Sequence, residues 1–474
     1  MISFSSILYI AEWIVCLVAL FVVVHNRRPT AALAWLAVIF FQPWVGLVLY
    51  LLIGRHRLPR RRTRQYRRLI RRLEHLKKQF DGHPHVIHPE LGPQCKTAIT
   101  LAARYGSMPI LDGNSITLIS DTNHVIQRLI ADIEQAKQHV HMLFFIFRND
   151  DTGLMIANAL KQAAQRGVKC RLLLDAVGSW GTLRSIGDDL RKAGVEVYDT
   201  LPVGFLRRRA SRIDLRNHRK IVVIDGMTAY TGSQNIVDDN YGYKDLVWYD
   251  LTARLNGPIV QELQTVFLED WHFRTDRLLD EPGIFPPPEP SGTVPAQVLP
   301  SGPDDPIESY QRLVVAVLYS ARERVVITTP YFVPDEPFLQ AMQVVAQRDI
   351  VVNLIVPVKT DHPLIDMAGQ AYFEELLEAG VRIFTYENGL LHAKTITVDD
   401  SIAFLGSSNF DIRSFSLNFE INLLLYGTEA TQNLRERQME YLHNSRAIDR
   451  SQWKKRGSFK RLGHDIAKLF SPLL

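Results

Sequence analysis

The strongest constraint on this chain is a motif that occurs twice. HRKIVVIDGMTAYTGSQN at 218–235 and HAKTITVDDSIAFLGSSN at 392–409 share His-x-Lys, an Asp five residues after the Lys, and Gly-Ser-x-Asn at identical offsets. The chance of finding one such set of matched positions in a chain this long is on the order of one in a hundred thousand. A strand with an edge histidine and a Gly turn would explain either fragment alone. It does not explain the pair. Two histidines brought to one point can divide a reaction that neither completes alone, one attacking phosphorus while the other protonates the leaving group.

The repeat extends beyond the motifs. Residues 116–147 parallel 296–332, each a short strand leading through a loop into an amphipathic helix and then a buried strand. LMIANALKQAAQRGVKCRLLLD (154–175) parallels FLQAMQVVAQRDIVVNLIVP (338–357), a helix feeding a strand. RKAGVEVYDT and LEAGVRIFTY then place a helix end, a Gly stop and a strand before each motif. Helices alternating with β-rich runs predict two α/β halves, each with a central sheet. The expected halves are 81–280 and 296–474, joined by the Pro-rich segment 281–295. From about Thr428 the chain reads as helical and charged, with an apolar end, FSPLL.

The 474 residues allow two or three domains with ample core. Formal charge is +5, but residues 1–80 carry 14 Lys/Arg against Glu12 and Glu74, a balance of +12 that leaves −7 for the remainder. Basic charge is therefore local, and a nucleic-acid groove in the main body is not expected. Cys16, Cys95 and Cys170 are scattered, without metal-type spacing or a disulfide framework. A packing role and a reducing compartment fit them.

Two apolar stretches, about Ile7–Val24 and Ala31–Ile53, are each long enough to cross a hydrocarbon layer of ~30 Å as a helix. Pro43 is expected to kink the second, and Glu12 to lie within about a turn of the first helix start. The first stretch lacks the basic flank and small-residue cleavage site of a signal peptide. Residues 55–78 hold ten Arg and two Lys, against Arg27 and Arg28 in the connector. The positive-inside rule then gives a transmembrane hairpin over 1–54 with both ends in the cytoplasm. At 55–80, Tyr66, Leu69, Ile70, Leu73, Leu76 and Phe80 recur at helical spacing among arginines. They predict an amphipathic helix lying on anionic headgroups.

Within a strand, alternate residues share a face, so His218 points with Lys220 and His392 with Lys394. Imidazole titrates near neutrality, so one ring can be nucleophilic while the other is acidic. The lysines supply positive charge for phosphate oxygens, Asn235 and Asn409 supply amide donors, and Ser233 and Ser407 are further candidate phosphate contacts. Asp225 and Asp399 complete the candidate catalytic set, although both close strands at turns, where a turn-stabilising job has more weight than direct chemistry. Asp250 and Glu420 each precede a Gly by seven residues (Gly257, Gly427) and are candidate acceptors for a histidine Nδ1–H, which would fix the tautomer that exposes Nε2. There is no Walker loop, no H-E-x-x-H and no zinc spacing. Neither nucleotide nor metal is required by this set.

Residues 116–427 resemble the phospholipase D superfamily, whose paired HKD motifs match at His218, Lys220, Asp225, Gly232, Ser233 and Asn235, and again at His392, Lys394, Asp399, Gly406, Ser407 and Asn409. RRPTAALAWLAVIFFQPWVGLVLYLLIGR, RIDLRNHRKIVVIDG, TPYFVPD and the terminal SPLL extend the resemblance over nearly the full length to membrane-anchored bacterial cardiolipin synthases. One departure is Tyr249, where that family commonly has a basic residue before the acid aligned with Asp250. The resemblance implies two α/β lobes packed around one active site, a phosphohistidine intermediate and no cofactor. It also implies transfer of a phosphatidyl group between two phosphatidylglycerol molecules in a bacterial inner membrane, with the catalytic body in the cytoplasm. A hydrolase with water as acceptor, a transferase using another donor lipid, and a non-catalytic scaffold stand as alternatives. Oligomeric state leaves no signal in the sequence.

Overall fold

The computed structural model describes residues 4–26, 29–53, 80, 82–88, 93–105, 108–203, 214–242, 246–303, 305 and 308–471. The basic amphipathic helix expected at 55–80 lies, apart from Phe80, outside the described residues, as do Arg27 and Arg28. At the N-terminal end, α1 (Phe4–Asn26) is long and apolar enough to cross a membrane. Because it starts at Phe4, Glu12 sits about two turns in, deeper than the expected single turn. The second apolar stretch is divided at Gln42 into α2 (Pro29–Phe41) and α3 (Pro43–Ile53). Pro43, which has no amide hydrogen for the ladder, opens the second of these. The hairpin expected from hydropathy thus does not take the form of two long helices. Cys16, Ala19 and Val23 pack against Ala32, Ile39 and Tyr50, which holds the three helices together.

In the catalytic body, the first half contributes β1 (Leu111–Ile119), β2 (His139–Phe144), β3 (Lys169–Asp175), β4 (Glu196–Thr200), β5 (Ile221–Ile224), β6 (Thr228–Gly232), β7 (Trp248–Tyr249) and β8 (Thr252–Asn256). The second contributes β9 (Val294–Ser301), β10 (Arg324–Thr328), β11 (Val351–Pro357), β12 (Arg382–Tyr386), β13 (Leu390–Leu391), β14 (Thr395–Val398), β15 (Ile402–Gly406), β16 (Glu420–Tyr426) and β17 (Ser445–Ala447). From the middle outward the order is β1-β8-β6-β5-β2-β3-β4 on one side and β9-β16-β15-β14-β10-β11-β12-β17 on the other. Corresponding strands thus occupy corresponding places. The halves do not keep separate sheets, because β1 and β9 pair antiparallel and make one sheet of 15 strands.

Apolar runs such as IVVI in β5 and INLLLY in β16 are buried along their length, as a sheet covered on both faces requires. On one face each half has its own core. In the first half, Thr122–Gln135, capped by Asp121 on the His124 amide, and Asp151–Gln165, capped by Asp150 on the Gly153 amide, cover the sheet. Ser309–Ser320 and Glu336–Ala346 do the same in the second half. On the other face a single core crosses the seam, where helices Ile259–Thr275 and Thr428–His443 pack side chains such as Leu263, Phe267 and Leu434 against strands of both halves. The Pro-rich segment is docked: Glu281 pairs with Lys169 and Arg171, and β9 already begins at Val294.

Two buried polar side chains pin the seam. Asn114 donates to the Leu111 and Val294 carbonyls and accepts from the Ile259 amide. Glu262 accepts from the Val298 amide at 2.7 Å, while its other oxygen has no partner. Burial pushes the Glu262 carboxyl well above its ordinary value of 4.5, only partly opposed by that amide. With the folded value raised, its contribution to stability is full below about pH 4.5 and is lost as pH rises through the folded value. Glu262→Gln is expected to melt at or above the parent at pH 8, with the difference shrinking towards pH 4. Thermal unfolding of the purified chain at both pH values checks this, and a variant that melts lower at pH 8 counts against it.

Candidate active site

The two motifs meet because the halves exchange strand contacts beside the seam. The short strand before the second motif, β13, pairs in parallel with β7 of the first half, and the His392 amide donates to the Tyr249 carbonyl at 2.7 Å. The mirror contact places Asn217 beside Phe419, with the His218 amide on the Phe419 carbonyl at 2.8 Å. Each histidine is thereby carried to the other half's acid. His218 Nδ1 lies 2.9 Å from Glu420 Oε2, and His392 Nδ1 lies 2.6 Å from Asp250 Oδ1. An Nδ1–H donated to a carboxylate leaves each Nε2 with its lone pair free.

Lys220 donates to the His218 carbonyl at 2.8 Å and Lys394 to the His392 carbonyl at 2.5 Å. Both lysines are buried, and each histidine senses the lysine of the other half as well as its own. Burial, reinforced by Lys394, lowers His392 to about 4; burial and Lys220 lower His218 against the pull of Glu420. Burial alone would raise Asp250, but His392, Lys394 and Ser233 bring it down to about 2. Burial lowers Lys220 to about 8 although Glu420 and Asp250 favour its charge. The free site therefore holds two ionised acids beside two imidazoles that are neutral at pH 7. Phe145 stands edge-on to His218 and Trp248 edge-on to His392, with ring centroids 5.0 and 4.8 Å apart.

The remaining motif residues make other contacts. Asp225 accepts from the amides of Lys137, Gln138 and His139 at 2.8, 2.8 and 2.9 Å. Asp399 accepts from those of Arg322, Glu323 and Arg324 at 3.0, 2.9 and 3.0 Å. Each stands five residues along an extended strand from its lysine, roughly 16 Å, so neither belongs among groups that reach phosphorus. They brace the turns at the far strand ends. Ser233 and Ser407 are not aimed at substrate either: their hydroxyls donate to Asp250 and Glu420, at 2.5 Å each. Asn235 Oδ1 accepts from the Ile146 amide at 3.2 Å, and Asn409 Oδ1 is buried without a partner. Gly232 and Gly406 permit the close approach that sets these contacts, since a Cβ would come within 2.3 Å of the Leu251 carbonyl oxygen in one half and 2.4 Å of the Ile421 carbonyl oxygen in the other.

Other supporting residues escape the motif. Asp175 accepts from Arg216, from the Asn217 amide and from the amides of Val177 and Gly178, which fixes the segment entering His218. Its sequence signal is a carboxylate ending the buried run LLLD. Arg219 donates to the Glu420 carbonyl and pairs with Asp270 at 2.8 Å.

The halves also differ. In the second, the Tyr310 hydroxyl bonds Ser408, and Ser408 accepts from Asn422. At the matching places the first half has Val125, Gln234 and Thr252, and a cavity opens there, lined also by Ile126, Lys220 and Asn235. Gln234 Nε2 has no partner in it.

Removing the turn-bracing carboxylate is expected to act through stability. Asp225→Ala should lower stability by about 1–2 kcal/mol, as expected when three amides, mostly exposed, lose a shared charged acceptor. Thermal unfolding measures the loss, and the fraction that stays folded should keep its activity. A fully stable but inactive variant would return Asp225 to the reacting groups.

Comparison with known proteins agrees with this architecture. The family model "Cardiolipin synthase, PLD-like domain" matches residues 129–271 and 314–441, and a phospholipase D-nuclease N-terminal model matches 13–55. The chain is 35% identical over 481 residues to cardiolipin synthase A of Klebsiella pneumoniae subsp. pneumoniae, covering 98% of this chain and 99% of that protein. It is 35% identical over 483 residues to cardiolipin synthase A of Salmonella gallinarum, covering 99% and 98%. Among solved structures, phosphatidylserine synthase from Haemophilus influenzae Rd KW20 matches with a TM-score of 0.63 at 13% identity, over 81% of this chain and 98% of that one, a likeness of fold. With both motif-bearing halves matched and the likeness running end to end, the chain belongs to the phospholipase D-like family of cardiolipin synthases.

Proposed function

We propose that the chain transfers a phosphatidyl group from one phosphatidylglycerol to another, giving cardiolipin and glycerol, through a phosphohistidine on His218. The observation that carries this is the crossed pairing of two motif histidines with two buried carboxylates. Binding of the anionic phosphodiester favours uptake of a proton from water at His392 Nε2. His218 Nε2 then bonds to phosphorus of the first lipid as the bond to its headgroup glycerol oxygen breaks, and that oxygen takes this proton, leaving His392 neutral. His392 then accepts the hydroxyl proton of a second phosphatidylglycerol, whose oxygen bonds to phosphorus as the P–N bond to His218 breaks. His218 is favoured as nucleophile by its greater side-chain exposure, 12% against 4% for His392, and by the open space beside Lys220. Lys220 and Lys394, with the amide groups of Asn235 and Asn409, stabilise the equatorial oxygens. Asp250 and Glu420 orient the imidazoles. Phe145 and Trp248 lower water access and favour an alcohol acceptor.

The same proposal includes a two-lobed body, 81–280 and 296–474, on the cytoplasmic side of a bacterial inner membrane. There, α1 and the broken second stretch form the anchor, and the cationic residues 55–78 mark the inner side and draw anionic lipids. Purified protein in phosphatidylglycerol vesicles should release glycerol and cardiolipin, and phosphatidic acid without cardiolipin would point to hydrolysis. His218→Asn should reduce cardiolipin formation by about 10³-fold or more, the scale expected on losing a covalent nucleophile, with membrane insertion unchanged. Because burial holds both histidines below the ordinary 6.5, the acidic limb of kcat/KM should fall below that value. A pH series in mixed micelles checks it, and a limb centred above 6.5 contradicts the neutral pair.

A further inference from the structure

The last described helix, Ser458–Leu469, is built for two different neighbours. One side is clamped to the body: Lys468 pairs with Glu375 at 3.1 Å, His464 and Ala467 are buried, and Arg456 just before it pairs with Glu374 at 3.3 Å. The other side carries Phe459, Leu462, Ile466 and Leu469, followed by Phe470. These fall within about 100° of arc at 100° per residue, a single stripe. All five are exposed, Phe459 at 93% and Leu469 at 78%. Residues 450–471 hold seven Lys/Arg against Asp465. Arg450, Lys454, Arg456, Arg461 and Lys468 pair with Glu374, Glu375 or Glu378 of the body, and Lys455 and Lys460 add positive charge beyond those pairs. An apolar stripe bordered by cations matches a bilayer interface with anionic headgroups.

The stripe continues towards the catalytic centre. Gly463 lies against Met367 of helix Pro363–Gln370, which also exposes Leu364, and Val358 is exposed at the end of β11. Asp361 and His362 open that helix. The Tyr331 hydroxyl donates to Asp361 at 2.6 Å, and the Tyr331 ring stands between His362 and His392, with centroids 5.8 and 6.4 Å away. Exposed apolar side chains therefore lie along the C-terminal helix and on the helix that follows the Tyr331–Asp361 contact near His392. We infer that helix Ser458–Leu469, together with Leu364 and Met367, is an interfacial docking face that seats the mouth of the second half on an anionic bilayer. This goes beyond the proposed reaction, since it concerns where the body rests and not what it transfers.

The test uses the full chain with Cys16, Cys95 and Cys170 replaced by Ala and one cysteine introduced as Phe459→Cys, Ile466→Cys or, as reference, Met227→Cys. Met227 is exposed at the turn between β5 and β6, at the other end of the strand from His218. Each variant carries an environment-sensitive fluorophore in liposomes of phosphatidylglycerol and phosphatidylcholine. Positions 459 and 466 should be blue-shifted and quenched by spin-labelled lipid, while 227 is quenched by aqueous iodide. Iodide quenching at 459 and 466 overturns the inference, as does protection from both quenchers, which would mean a protein partner or a second copy covers the face. The triple variant Phe459→Asp, Ile466→Asp, Leu469→Asp should lose about tenfold or more of its activity on vesicles, with activity in detergent micelles retained. Undiminished activity on vesicles also overturns it. The micelle assay and the quenching pattern separate failure of docking from failure of the proposed reaction.

Discussion

Two carboxylate–imidazole contacts that cross between the halves are the interaction on which the rest of the centre depends. His218 reaches Glu420 and His392 reaches Asp250, and neither contact can form inside one half. The fold serves this exchange. Pairing β1 with β9 fixes the halves in one sheet, and the parallel contact of β13 with β7 delivers His392 in register with Asp250. A slip of one residue in the β13–β7 pairing would take His392 out of register with Asp250.

The electrostatics follow from this geometry. Two lysines and two acids share a buried space, where burial draws both lysines down while the acids favour their charge. Within that balance the imidazoles remain neutral, because burial outweighs the neighbouring carboxylates. A phosphodiester brings one further negative charge, which favours protonating one ring and restoring the full charge of both lysines. Binding and proton placement are thereby linked through the same few groups.

The sequence made the duplication legible, and with it the α/β alternation and the reacting residues, since identical offsets in two copies leave a readable pattern. Asp250 and Glu420 were also visible as acids preceding a glycine. Their exchange between halves was not, because the pairing depends on contacts between residues 142 and 202 positions apart. The motif leaves its other shared residues less defined. Asp225, Asp399, Ser233 and Ser407 recur in both copies as the histidines do, yet they brace turns and acids, and recurrence alone does not separate support from chemistry. The N-terminal division at Gln42 was half visible: Pro43 announced a kink, but hydropathy averages over it.

Unequal filling beside the two lysines has its own consequence. Where Tyr310 closes the second half, Val125 leaves the first half hollow, with the Gln234 amide facing the gap. The two flanks differ by an aliphatic residue where the other half has a phenol. A visitor to the centre meets open space beside Lys220 on one side and a phenol bonded to Ser408 on the other. The chain thus carries a built-in direction, although its chemistry is written the same way twice.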